Sequence, residues 1–151
     1  MTMTNEMLDP ELQIKLLLPD RPWEKEYKHS EEWIDKDTGY TCTIWRHQTL
    51  GHLCGYVGIP KGHRCCGLGY NDMNDIKVHG GLTYSEVDDK RQLHVFGFDA
   101  GHAGDYSPGL ALTMLRVTGE FNGVSRGETY RTWAYMKGQV LSLCSQLKLK
   151  E

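Results

Sequence analysis

The chain has 151 residues, of which 39% are hydrophobic, 25% charged and 10% aromatic, enough for one ordinary domain that buries roughly two-thirds of its unfolded surface. Seventeen Lys and Arg against twenty Asp and Glu leave a formal charge of -3 with histidine neutral, which argues against a general nucleic-acid-binding protein, because that role wants a strongly basic face. No apolar run approaches the roughly 18 residues of a membrane span, and the N-terminus has neither the basic start nor the apolar stretch of a signal peptide, so a cytoplasmic protein without membrane partners is expected.

Residues 1–38 form a charged N-terminal segment. Within it, Pro10 to Leu18 reads as a short helix or strand closed by Pro19 and Pro22. Trp23 to Trp33 reads as a surface stretch anchored by Trp23, Tyr27 and Trp33. After Gly39 the pattern becomes alternating. Tyr40–Trp45 and His52–Ile59, separated by a turn at Leu50-Gly51, predict a hairpin. Lys61–Asn74 reads as a loop. Asp75–Tyr84 reads as a third strand interrupted by Gly80-Gly81, and Gln92–Asp99 as a fourth. Ala100–Leu110 is Gly-rich and irregular, and Thr113–Val124 suits a short helical turn or an edge strand. Between Thr129 and Lys148, Trp133, Met136, Val140, Leu143, Cys144 and Leu147 recur at steps of three and four, the mark of an amphipathic helix with Gly138 as its weak point. The expected fold is α+β: a single domain with an antiparallel-rich sheet of about four strands, its strand-rich core at 40–100, and a C-terminal helix (129–148) packed on it.

Five cysteines, an odd number without a CxxC pair, speak against a disulfide framework. His52-Leu53-Cys54 and His63-Arg64-Cys65 could together make a tetrahedral zinc site, although their spacing matches no standard knuckle. No cofactor is expected.

Three loops concentrate Gly with His, Asp and Tyr: Gly55–His63, Val78–Ser85 and Gly97–Gly109. Gly lets backbone approach a ligand closely, and the polar side chains supply directional contacts. None of the loops is a GxxxxGK[ST] or GxGxxG phosphate loop. Asp99, His102 and Asp105 are spaced so that two carboxylates and an imidazole could hold a divalent cation, with His79 as a fourth ligand. Alternatively, His102 could act as a general base oriented by an Asp. Equally, these residues could cap turns and bond to backbone.

Taken together, Gly55-Tyr56-Val57-Gly58-Ile59-Pro60-Lys61-Gly62-His63, His79-Gly80-Gly81-Leu82-Thr83-Tyr84-Ser85 and Gly97-Phe98-Asp99 with His102-Ala103-Gly104-Asp105 resemble a family of small proteins encoded by bacteriophages and prophages. The likeness covers roughly residues 40–109. It departs where a proline is expected after His63 and Arg64-Cys65-Cys66 stands instead. The resemblance implies a phage protein working in the host cytoplasm, and by analogy an inhibitor of nucleotide-based immune signalling. On that expectation the protein sequesters a cyclic dinucleotide or an ADP-ribose derivative. Lys61 and His63 would meet phosphate, His79, Thr83, Asp99 and Asp105 would read ribose or base, Tyr56 or Tyr84 would stack, and His102 would be a further ligand-binding residue. A homo-oligomer would help to bury such a ligand. The alternatives are a phosphodiesterase that uses His79 and His102 with Asp99 and Asp105, and a protein–protein inhibitor of a host factor.

Overall fold

In the computed structural model, which describes residues 9–26, 28–120 and 127–151, the two alternating runs on either side of Gly51 form the expected hairpin. Strand β2 (Thr41–Arg46) pairs antiparallel with β3 (Leu53–Pro60), placing Trp45 opposite Cys54 and Thr43 opposite Tyr56. Three further strands complete one antiparallel sheet: β1 (Ser30–Ile34), β4 (Tyr84–Asp88) and β5 (Leu93–Asp99), in the order β1-β2-β3-β5-β4. Among the described residues four α-helices accompany it: α1 (Pro10–Leu17), α2 (Pro22–Lys25), α3 (Pro108–Thr118) and α4 (Trp133–Lys148). The fold is thus α+β, a single domain with the C-terminal helix packed on the sheet.

Side chains alternate across a strand, so the sheet has two unlike faces. Cys42, Ile44, Val57, Ile59, Phe96 and Phe98 turn toward α4 and meet Met136, Val140, Leu143, Cys144 and Leu147 in one buried core. The stripe read from the sequence is the stripe that packs. Thr132 caps α4 by accepting the Tyr135 N–H at 3.2 Å, and Gly138 sits on its exposed side with open space around it. Helix and sheet approach closely at Gly55, where an added Cβ would lie 2.6 Å from the Phe98 ring and 2.8 Å from Val140 Cγ2. Both neighbours are buried, so Gly55→Ala should cost about 2 kcal/mol through overpacking. A denaturant midpoint that falls at unchanged m-value checks this; an unmoved midpoint contradicts it.

The other face is open and carries Thr43, Trp45, Tyr56, Tyr84 and Val95, joined across strands by the pairs Thr43–Tyr56, Tyr56–Gly97, Tyr84–Gly97 and Glu86–Val95. A smaller core of Tyr106, Ala111 and Tyr130, with Trp23 and Leu18 against it, holds the N-terminal helices. The Trp23 ring lies 4.9 Å from Tyr106 and 5.3 Å from Tyr130.

Three expectations change. Asp75–Leu82 is not a strand. Gly80 and Gly81 take left-handed φ values of 69° and 77°, which break an extended backbone. The N–H groups of Lys77 and His79 are instead taken by the side chains of Gln146 and Gln139 on α4, at 2.7 and 2.9 Å. Second, part of the charged surface stretch is β1, whose residues read as solvated because an edge strand carries charges such as Glu31 and Glu32. Third, the ambiguous region after residue 108 is the helix α3, opened by Pro108 and closed by Gly119 at φ 71°. Tyr27 and residues 121–124 lie outside the described residues. Among those described, no helix is long and apolar enough to cross a membrane.

The cysteines carry free thiols, four of them buried and Cys66 half-buried. Cys42 and Cys144 meet in the core with sulfurs 3.2 Å apart.

Candidate functional site

The end of β2, the start of β3 and the end of β5 come together at one edge of the sheet, because Arg46 pairs with Leu53 and Cys54 with Asp99. The loops that follow bring the second and third Gly-rich segments to the same place. Gly80 makes this possible: an added Cβ would lie 2.4 Å from the His102 ring, so only the bare backbone lets the two loops touch.

At the centre is Asp105, whose side chain is 2% exposed. Its Oδ2 accepts from His79 Nε2 at 2.8 Å and from the His102 backbone N–H at 3.1 Å, and its Oδ1 accepts from Arg131 Nε at 3.0 Å. Burial alone would raise this carboxyl, but the bonds from His79, Arg131 and His102 outweigh it and hold it below the usual carboxylate range. The ionised carboxylate only accepts, so Nε2 of His79 carries the proton. Its Nδ1 lies 2.8 Å from the Tyr135 hydroxyl. Arg131 also lies over the Tyr135 ring, 5.3 Å from its centroid. Both ring nitrogens of His79 are therefore engaged.

His102 stands beside this cluster, its ring 6.4 Å from that of His79. Its Nε2 lies 3.3 Å from Asp99 Oδ1, outside good hydrogen-bond geometry and otherwise without a partner. Asp99 accepts the Gly101 N–H at 2.9 Å and, more weakly, the Thr83 hydroxyl at 3.4 Å. Asp99 in turn borders a cleft of about 270 Å³ on the open face, walled by Trp45, His47, His52, Cys54, Tyr56, Thr83, Tyr84 and Phe98. Tyr56 and Tyr84 meet edge to face at 5.4 Å, and His47 stacks on His52 at 5.1 Å. Burial lowers the His52 imidazole and keeps it neutral, and it pushes the Cys54 thiol up to about 11 and raises the Tyr56 hydroxyl. Beyond the tyrosine pair, the open face continues as a groove of about 500 Å³ over Thr43, Val95 and the 86–91 hairpin.

Tyr56, Thr83, Tyr84 and Asp99 thus share one cleft, with His102 against Asp99 and the His79–Asp105 pair next to it. Lys61 and His63 lie at the other end of β3. Lys61 pairs with Asp89 at 2.5 Å. Buried His63 accepts the Cys65 N–H at Nδ1, and its Nε2 lies 2.8 Å from the Leu147 carbonyl. His52-Cys54 and His63-Cys65 are likewise at opposite ends of β3, and Asp105 is turned away from Asp99 toward His79 and Arg131. Among the described residues no three His, Cys, Asp or Glu side chains are grouped to hold a metal ion.

Sequence reasoning did not single out Arg131 or Tyr135 for this site. Thr129 reaches it by bonding through its N–H to the Gly104 carbonyl and through its carbonyl to the Tyr106 N–H, a long-range contact that no local pattern announces. Compared with known proteins, the chain matches no family model, no curated protein and no solved structure.

Proposed function

We propose that the protein captures a nucleotide signal and releases it unchanged, acting as a phage-encoded sponge against host immune signalling in the host cytoplasm. The observation that carries this reading is the cleft itself, which gathers the aromatic rings of Trp45, Tyr56 and Tyr84 beside the directional groups Thr83 and Asp99. A base stacks on aromatic rings and is fixed by a few polar contacts. The larger groove on the far side of the Tyr56–Tyr84 pair gives a second lobe, which suits a cyclic dinucleotide or an ADP-ribose derivative. A second copy closing over the open face would bury such a ligand further.

Capture is favoured over phosphodiester cleavage because His79 has both ring nitrogens committed and Asp105 is clamped by three donors. Such a network fixes the shape of the site. A sponge needs submicromolar affinity, about -8 kcal/mol or better.

The test is a release assay. The protein is incubated with cyclic dinucleotides and cyclic ADP-ribose isomers, free ligand is removed by filtration, and the retained fraction is heat-denatured and chromatographed. One compound should be depleted before heating and recovered intact afterwards. Recovery as a linear or hydrolysed product would make the protein an enzyme. A panel that stays free throughout would set the nucleotide reading aside in favour of a protein partner.

A further inference from the structure

We infer that Asp99 reads a paired hydrogen-bond-donor edge, and that the base held in the cleft is guanine. This rests on the capture reading above and narrows its ligand.

The cleft contains no Lys or Arg among its lining residues, and its one carboxylate is Asp99. A phosphate would be repelled there, so the part of the ligand that enters is uncharged and donates. The Asp99 side chain is 31% exposed. Its Oδ1 is oriented by the Gly101 N–H at 2.9 Å, while Oδ2 has only the Thr83 hydroxyl at 3.4 Å. A carboxylate offers about four acceptor sites, so capacity remains on a side chain already held in place. The same corner holds a buried ring nitrogen without a partner, His52 Nδ1, and a second, His102 Nε2, that makes no hydrogen bond and has Asp99 Oδ1 at 3.3 Å; His52 is 7% exposed. Buried polar atoms are nearly always bonded, and this corner is one that the chain alone leaves incomplete.

Among the flat, neutral parts of a nucleotide, guanine presents N1–H and N2–H side by side, a match for the two oxygens of one carboxylate. Adenine places the bare N1 acceptor next to its amine, which sets a lone pair against Asp99. A site built around hydrogen-bonding groups rejects a ligand that leaves them unpaired far better than an apolar pocket rejects a wrong shape. A vicinal ribose diol offers a similar donor pair, and the test separates it from the base.

GMP, AMP and XMP are titrated by calorimetry into the full chain and into Asp99→Asn and Asp99→Ala, alongside cyclic di-GMP and cyclic di-AMP. The parent should prefer GMP over AMP by about 10- to 100-fold, the worth of one good bidentate pair. Asp99→Asn should lose GMP and gain XMP, because an amide donates to the xanthine C2 carbonyl while still accepting N1–H. A misfolded protein could not give that gain. Asp99→Ala should bring GMP and AMP to equal affinity. Equal affinities in the parent, or an unchanged GMP-to-AMP ratio in either variant, would overturn the guanine assignment. If both variants weaken GMP and AMP alike, Asp99 holds ribose, and capture survives without base selection. If none of the five compounds binds the parent, the guanine assignment falls; the release assay decides separately whether capture falls with it.

Discussion

Replacing Asp105 with alanine should destabilise the protein by about 3 to 5 kcal/mol, the usual cost of removing one partner from a buried ionic network. The carboxylate is almost fully buried and accepts from His79, Arg131 and the His102 N–H. Its loss leaves three donors facing a void. For a chain of this length the melting temperature should fall by roughly 10 °C. Asp105→Asn keeps the shape but supplies a donor where His79 and Arg131 also donate, so about 2 kcal/mol is expected. The pH dependence follows from the lowered carboxyl. A group whose folded pKa lies below its unfolded value stabilises the fold above the unfolded pKa, near 4 for Asp. That contribution is lost as pH falls through the lower folded value. The gap between the parent and Asp105→Asn should therefore be present at pH 7 and close below about 4. Urea titrations across that range would contradict this account if the gap widened in acid or was missing at pH 7.

The parts of the fold that were legible in the sequence are those fixed by local pattern. The β2–β3 hairpin shows as two alternating runs around a Gly turn, and α4 shows as an apolar stripe at steps of three and four; both fold as read. Asp75–Leu82 has strand-like composition but no strand, because Gln139 and Gln146 of α4 take the His79 and Lys77 N–H groups from 60 and 69 residues away. The site divides in the same way. The loops holding His79, Asp99, His102 and Asp105 stood out by composition. The separation of Lys61 and His63 from them did not, since it depends on β3 running its full length between the two ends of the sheet. Arg131 joins only because its strand-like stub lies along residues 104–106. Composition reports which residues can do chemistry, while register decides which of them meet.

Gly97→Ala should abolish most ligand capture while leaving the fold intact. Gly97 lies in the middle of β5, opposite Tyr56 on one side and Tyr84 on the other. An added Cβ would stand 2.5 Å from Tyr56 Cδ1 and 2.7 Å from Cε1, so the ring that lies over the strand must swing away. That removes the edge-to-face contact with Tyr84 and one stacking wall of the cleft. Base–aromatic stacking is worth about 1 to 3 kcal/mol, and with the partner ring displaced as well, affinity should fall on the order of 100-fold. Stability should move far less. Alanine restricts the unfolded chain by about 0.4 to 1 kcal/mol in favour of folding, and a displaced side chain costs about 0.5 to 1.5 kcal/mol, so the two nearly cancel. The decisive comparison is a double-mutant cycle. If Gly97 serves the site only by admitting the Tyr56 ring, then adding Gly97→Ala to Tyr56→Ala should weaken capture no further. Additive losses would instead mean that the β5 backbone itself touches the ligand, and the aromatic cleft would then be one wall of the site among several.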